Sequence, residues 1–124
     1  MLAEFSIAPL SGGSEHLSEC VAQMLRIVDE SGLPYELHAM GTIVEGEWGE
    51  VMGVIEKCYR LMIERYPRVS VTIKIDDARG RRDRLRGKVE NVERIIGKRL
   101  ARDSPHAKAA EKNKTPNAGN ERDS

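Results

Sequence analysis

The 124-residue sequence has no excess of charge of either sign, no long apolar run and few aromatic residues. Lys+Arg and Asp+Glu both number 20, and aromatic residues make up 4% of the chain. General binders of nucleic acids or membrane surfaces work through excess positive charge, so this balance argues against both partners. No run approaches the roughly 20 apolar residues of a membrane span. The start carries Glu4 where a signal peptide has a basic and then an apolar stretch. We therefore expect a cytoplasmic protein.

Cysteine and histidine are also scarce. Cys20 and Cys58 both fall within helical patterns, and His16, His38 and His106 lie in different parts of the chain. A disulfide between the two helices is the alternative, but disulfides are rare in cytosolic proteins and a free cysteine behaves as a small core residue. The histidines and cysteines show no zinc spacing. The sequence predicts two buried free cysteines and no metal site.

Patterns typical of catalysis are weak. There is no Ser-His-Asp arrangement and no Gly-x-Ser-x-Gly elbow. Glu45 and Glu47 would share one side of a strand and could act as an acid–base pair, but two carboxylates at a strand end are more often solvated. No further ligands follow Asp76 and Asp77 at calcium-loop spacing. We predict that the protein is not an enzyme, and a pyrimidine-converting enzyme using the Glu45/Glu47 pair is the weakest hypothesis.

Hydrophobic periodicity predicts four strands and three helices. The strands are expected at 2–8, 35–39, 42–47 and 69–75, and two helices at 48–66 and 82–102. Another helix would be capped by Ser14 and ended by Gly32. The first six elements predict an α+β fold of the ferredoxin-like βαββαβ type, an antiparallel sheet with both helices on one face, followed by a C-terminal helix.

The C-terminal part of the sequence changes character. The last predicted helix carries a narrow apolar stripe on a charged rod, which should cover an open sheet edge, an interior edge or a neighbouring subunit. The stripe consists of Leu85, Val89, Val92, Ile96 and Leu100. Residues 103–124 contain no large aliphatic or aromatic residue, so we predict a disordered polar tail after a domain at 1–102.

The sheet face away from the helices mixes polar and apolar residues. Its predicted members are Glu4, Ser6, Glu36, His38, Met40, Thr42, Val44, Thr72 and Lys74. Such a face can simply be solvated, or it can bind another copy of the chain with or without a small ligand; we favour association. RNA-recognition domains of this fold stack bases on aromatic residues of this face. The sole phenylalanine, Phe5, is predicted on the helix side, which argues against RNA binding.

Trp48 follows the acidic end of the third strand. It either packs against the core at the start of a helix or forms the aromatic wall of a pocket. Beside Glu45 and Glu47, such a wall would suit a flat cationic heterocycle through stacking and cation–π attraction.

A cluster of basic residues precedes and enters the last helix. Guanidinium groups in this number can hold phosphate, but acidic residues are interleaved with them, so a salt-bridge network is the favoured interpretation. The basic residues are Arg79, Arg81, Arg82, Arg84, Arg86 and Lys88, and the acidic ones are Asp76, Asp77, Asp83 and Glu90.

Three segments together resemble the small prokaryotic thiamine-binding proteins with a ferredoxin-like fold. They are 3–9 (AEFSIAP), 40–46 (MGTIVEG) and 72–77 (TIKIDD), and the likeness covers about residues 2–100. One departure is that Ala78 and then Arg79 follow Asp77, where the family tends to have arginine directly after the acids. This departure weakens an anion-binding role at that loop.

The resemblance implies a non-enzymatic binder of thiamine or its hydroxymethylpyrimidine part. It also implies a homotetramer built as paired dimers, with sheets packed against each other and the ligand near a subunit interface. Glu45 could accept hydrogen bonds from the exocyclic amine, and Ser6, Thr42 or Thr72 could form hydrogen bonds with the ring nitrogens. The predicted ligand-binding residues are Ser6, His38, Met40, Thr42, Glu45, Trp48, Thr72 and Lys74. The alternative is a self-associating structural or regulatory module without a small-molecule ligand.

Overall fold

The computed structural model describes residues 1–13 and 16–100. Its elements, in chain order, are β1 (Leu2–Pro9), α1 (Leu17–Glu30), β2 (Tyr35–His38), β3 (Gly41–Glu45), α2 (Trp48–Arg65), β4 (Val69–Asp76) and α3 (Arg84–Ile96). The predicted Ser14 cap and the predicted tail at 103–124 lie outside the described residues. The chain divides into one compact unit at 1–88 and a second from residue 89 onward.

The four strands form one antiparallel sheet in the order β2-β3-β1-β4. Strand β1 lies in the centre, where Glu4 pairs with Ile43 on one side and with Lys74 on the other. This order and the two intervening helices confirm the predicted α+β, ferredoxin-like fold with an added C-terminal helix.

The core lies between the sheet and the first two helices. Alternation along β1 directs Ala3, Phe5 and Ile7 into it, which confirms the helix side predicted for Phe5. Cys20 and Cys58 are fully buried within α1 and α2 and are free thiols, which confirms their assignment as core residues.

The register of β3 corrects one prediction. Thr42 and Val44 were expected on the face away from the helices, but they pair with Phe5 and Ala3, share the helix side and are buried. The cause is the two-residue turn between β2 and β3, which pairs His38 directly with Gly41. Directly opposed residues share a face, so the odd-numbered positions of β3 face away from the helices.

Several predicted element ends move by a few residues. Strand β3 stops before Glu47, which instead caps α2 in a reciprocal capping box with Glu50. Helix α3 is shorter than expected because Gly97 adopts a φ of 81° and donates its N–H to the Glu93 carbonyl at 2.8 Å. None of the residues of α3 is buried, so the surface that its apolar stripe covers stays a prediction.

Candidate functional site

A small apolar pocket, which we call the hairpin pocket, lies between α1 and the β2–β3 hairpin. Its volume is about 210 Å³, and four of the eight predicted ligand-binding residues line it. These four are Ser6, His38, Met40 and Thr42. The apolar side chains of the α1 stripe form the opposite wall, including Met24, Leu25 and Val28. The pocket therefore combines an apolar helix face with a strand that carries a hydroxyl group.

Thr42 is the polar group best placed inside the hairpin pocket. It is 6% exposed, and its side chain forms no hydrogen bond with another described residue. The register directs the side chains of Ser6 and His38 to the opposite face, where His38 Nε2 lies 3.4 Å from Glu36 Oε2. Met40, in the hairpin turn, is 90% exposed at the rim. Thr42 is thus the one predicted residue that offers a side-chain hydrogen bond within the pocket.

Glu45 caps a helix that is distant in sequence. Its carboxylate is buried, with Oε2 accepting the Arg84 N–H at 2.7 Å and Oε1 accepting the Leu85 N–H at 3.3 Å. These are two of the four N–H groups that the start of an α-helix leaves without intrahelical partners. Binding a ligand amine through Glu45 would compete with this cap.

Asp76 also contacts the N-terminal end of α3, through the side chains of Arg84 and Lys88. Arg84 donates two hydrogen bonds to its carboxylate at 3.0 Å each, and Lys88 Nζ lies 2.6 Å from Oδ2. These hydrogen bonds, first from Arg84 and then from Lys88, hold the pKa of Asp76 well below its usual range. The predicted salt-bridge network therefore exists for these two members of the basic cluster.

A second concavity, which we call the loop cleft, lies between the 77–83 loop and the start of α2. Its volume is about 440 Å³. Arg79, Arg81 and Arg82 line it from the loop, and Glu47 and Glu50 line it from the capping box. Trp48 is 59% exposed and is not among the lining residues, so it forms no wall of this cleft.

The remaining predicted residues lie on the open face of the sheet. Thr72 pairs with Ser6 and Lys74 pairs with Glu4, and both β4 residues are exposed. Of the eight predicted residues, four therefore line the hairpin pocket and two lie on the open face. Glu45 caps α3, and Trp48 is the first residue of α2. Their roles in binding stay predictions.

Sequence reasoning missed the part that α1 plays in the hairpin pocket. The helical spacing of Met24 and Leu25 is typical of core residues, and both also line the pocket. The available signal was the length of β2, which has only four residues and covers little of a 14-residue helix.

Within 1–13 and 16–100, no group of three or more His, Cys, Asp or Glu residues could hold a metal ion. No helix in the same part of the chain is long and apolar enough to cross a membrane.

Comparison with solved structures supports the fold. A Methanocaldococcus jannaschii protein matches with a TM-score of 0.65 and 26% identity, covering 73% of this chain and 93% of that one. A Thermotoga maritima protein with a provisional role in thiamine biosynthesis or salvage has a TM-score of 0.62 at 22% identity. That match covers 73% of this chain and 96% of the other.

Sequence comparison identifies the family. A UPF0045 protein of Mycobacterium bovis is 41% identical over 97 residues, which are 77% of this chain and 94% of that protein. A UPF0045 protein of Bacillus subtilis is 29% identical over 100 residues, covering 77% of this chain and 96% of the relative. The family model described as thiamine-binding protein matches residues 3–93. This confirms the resemblance seen in the sequence, and the chain belongs to the thiamine-binding protein family.

Proposed function

We propose that this protein binds thiamine or its hydroxymethylpyrimidine part without converting it. The ring would occupy the hairpin pocket at a subunit interface of a cytoplasmic homotetramer. Family membership and the provisional thiamine role of the Thermotoga maritima protein support the choice of ligand.

The observation that carries this proposal is the Thr42 hydroxyl, which has no partner among the described residues and lies in a mostly apolar pocket. An aminopyrimidine has two flat apolar faces and ring nitrogens that accept hydrogen bonds. The walls formed by Phe5 and Met24 suit the faces, and Thr42 can donate to a ring nitrogen. Small-molecule sites typically have this composition, mostly apolar with a few placed polar groups.

The size of the pocket supports its location at an interface. A volume of about 210 Å³ lies below the roughly 300–1,000 Å³ of pockets that enclose drug-sized ligands. One ring would enter, and the rest of thiamine would remain outside. Leu37 and Met40 at the rim are 56% and 90% exposed. A second copy covering these apolar side chains would both bury them and close the site.

The pocket offers binding groups but little for catalysis. Its lining residues include no carboxylate. His38 also lines the pocket, but the strand register directs its imidazole to the opposite face of the sheet, beside Glu36. General acid–base chemistry needs a titratable group within hydrogen-bond reach of the substrate. A binding role without turnover is therefore the function that the site supports best.

Calorimetric titration tests the proposal. Protein that has been unfolded and refolded to remove retained ligand is titrated with thiamine, thiamine phosphate and hydroxymethylpyrimidine. We expect saturable binding that Thr42→Val, which keeps the shape but removes the hydroxyl, weakens by about 2- to 12-fold. This range corresponds to a neutral hydrogen bond of about 0.5–1.5 kcal/mol.

The control for this titration is Ser70→Ala, which removes a hydroxyl from the exposed strand β4 outside the pocket. Its affinity should match that of the unchanged protein. No heat with any of the three compounds would reject the thiamine proposal. Equal affinities for Thr42→Val and the unchanged protein would remove the hairpin pocket as the site.

The alternative function, a self-associating module without a ligand, has its own support. Strand β4 is an eight-residue edge strand, and Val71, Ile73 and Ile75 on its helix side are each 37% exposed. Exposed apolar edges favour pairing with another chain. Sedimentation showing a stable oligomer, together with no binding of the three compounds, would favour this function.

A further inference from the structure

We propose that the loop cleft is a second binding site, which takes a small phosphate ester that also carries a positive charge. The guanidinium groups of Arg79, Arg81 and Arg82 would hold the phosphate, and Glu47 and Glu50 would face the cationic part. This inference does not rest on the proposed thiamine site in the hairpin pocket.

The first step is that the basic cluster divides into two groups. Arg84 and Lys88 are engaged by Asp76. The side chains of Arg79, Arg81 and Arg82 have no hydrogen-bond or ion-pair partner among the described residues, although all three line one cleft. Arginine presents a planar fork of donors that matches phosphate oxygens, so three such groups without partners offer donors for an external anion.

The second step is the backbone of the loop. The N–H of Arg81 donates to the Ala78 carbonyl at 3.1 Å, which closes a four-residue turn. Gly80 occupies the third position of this turn with a φ of 76°, a conformation that favours glycine. The hydrogen-bonded turn places one arginine before Gly80 and two directly after it, so the three guanidinium groups originate from one short, ordered segment.

The third step is the sign of charge on the opposite wall. The Glu47 and Glu50 carboxylates accept backbone N–H groups in the capping box, with Glu50 Oε1 3.1 Å from the Glu47 nitrogen. Asp77 and Asp83 also line the cleft, from the same loop as the arginines. A cleft that brings arginines and carboxylates together favours a molecule with both charges over a simple anion. Its volume of about 440 Å³ falls within the range of small-molecule sites.

The loop cleft is separate from the hairpin pocket. Thr42 lines the pocket at the start of β3, while Gly46 lines the cleft just past its end. Four residues of extended chain span about 13 Å. The two sites can therefore be tested independently by substitutions in each.

The test compares thiamine phosphate with thiamine, because the two compounds differ only in the phosphate group. Affinities are measured by calorimetry at constant ionic strength for the unchanged protein and for Arg81→Gln/Arg82→Gln. Both arginines are exposed, so the double variant should fold. The matched control is Arg26→Gln/Arg60→Gln, which removes the same charge from exposed helix positions outside the cleft.

We expect thiamine phosphate to bind at least tenfold more tightly than thiamine in the unchanged protein and in the control. The ratio should fall to about one in Arg81→Gln/Arg82→Gln, while Thr42→Val leaves the phosphate preference in place. Pyrophosphate, which lacks the cation, should bind more weakly than thiamine phosphate. Absence of a phosphate preference, an equal loss in both double variants, or tighter binding of pyrophosphate would each overturn the inference. Loss of thiamine binding in Thr42→Val alone concerns only the hairpin pocket.

Discussion

Removing the Glu45 carboxylate should loosen the first turn of α3 before it affects the sheet. Glu45 accepts the backbone N–H groups of Arg84 and Leu85, 39 and 40 residues further along the chain. The carboxylate also places a negative charge at a helix N-terminus, where the helix dipole favours it. Two variants separate these contributions. Glu45→Gln keeps an acceptor oxygen but loses the charge, and Glu45→Ala loses both.

The expected sizes follow from this geometry. Loss of charge at a helix N-terminus costs about 0.3–1 kcal/mol, so Glu45→Gln should have a small effect. Loss of a capping acceptor costs about 0.5–2 kcal/mol in addition. Glu45→Ala should therefore destabilise the docked turn by about 1–3 kcal/mol. Since about 1.4 kcal/mol corresponds to a factor of ten, amide exchange at Arg84 and Leu85 should accelerate by about 5- to 150-fold.

Hydrogen exchange resolved by residue is the assay, with Glu36→Ala as the control. Glu36 is a half-buried acid on β2 that contacts His38 and does not cap a helix. The control should leave exchange at Arg84 and Leu85 unchanged. If Glu45→Ala leaves those two amides as protected as before, the capping argument is refuted. If Glu45→Ala abolishes thiamine binding while the Arg84 and Leu85 amides stay protected, the predicted role of Glu45 in ligand binding gains support.

Two further predictions concern titratable groups. Because Arg84 and Lys88 lower the pKa of Asp76 in the folded state, its contribution to stability should be present above about pH 4 and be lost as the pH falls below that value. Asp76→Asn should flatten the acid limb of a pH series of unfolding midpoints, and an unchanged acid limb would contradict the pairing. Burial raises the pKa of Cys58 to about 11, so a thiol reagent at neutral pH should label this cysteine only as the protein unfolds, which mass spectrometry can follow. Rapid labelling of Cys58 in the native protein would contradict its burial.

Strand alternation made most of the fold predictable. The spacing of Phe5 and Ile7 in β1, and of Val71 and Ile73 in β4, assigned the correct face to both strands. Period-two patterns are local, and each strand carries enough of them to define its own two faces. The relation between neighbouring strands depends on the turn, and here a single unrecognised feature, the two-residue turn, reversed the assignment of Thr42.

The features that define the two candidate sites depend on contacts between distant segments. The sequence shows Glu45 as an acid at a strand end, and nothing nearby indicates that it caps α3. In the sequence, the basic cluster at 79–88 likewise forms one group in which acidic residues alternate with the basic ones. Only the position of Asp76 on β4 decides that Arg84 and Lys88 are paired, while Arg81 and Arg82 line a cleft. Tertiary placement, which local patterns do not encode, separates the structural charges from those available to a ligand.

The corrected position of Thr42 has a consequence for the proposed oligomer. The resemblance implied sheets packed against each other, an arrangement that would bury Thr72 and Lys74 on the open face. The hairpin pocket opens instead beside Leu37 and Met40, so an interface that closes it must include the hairpin edge. Thr42→Val and Thr72→Val make the same chemical change on opposite faces of one sheet. Weakened ligand binding in Thr42→Val alone would locate the ligand at the hairpin edge. The same effect in Thr72→Val alone would return it to the face between packed sheets and refute the hairpin-pocket proposal.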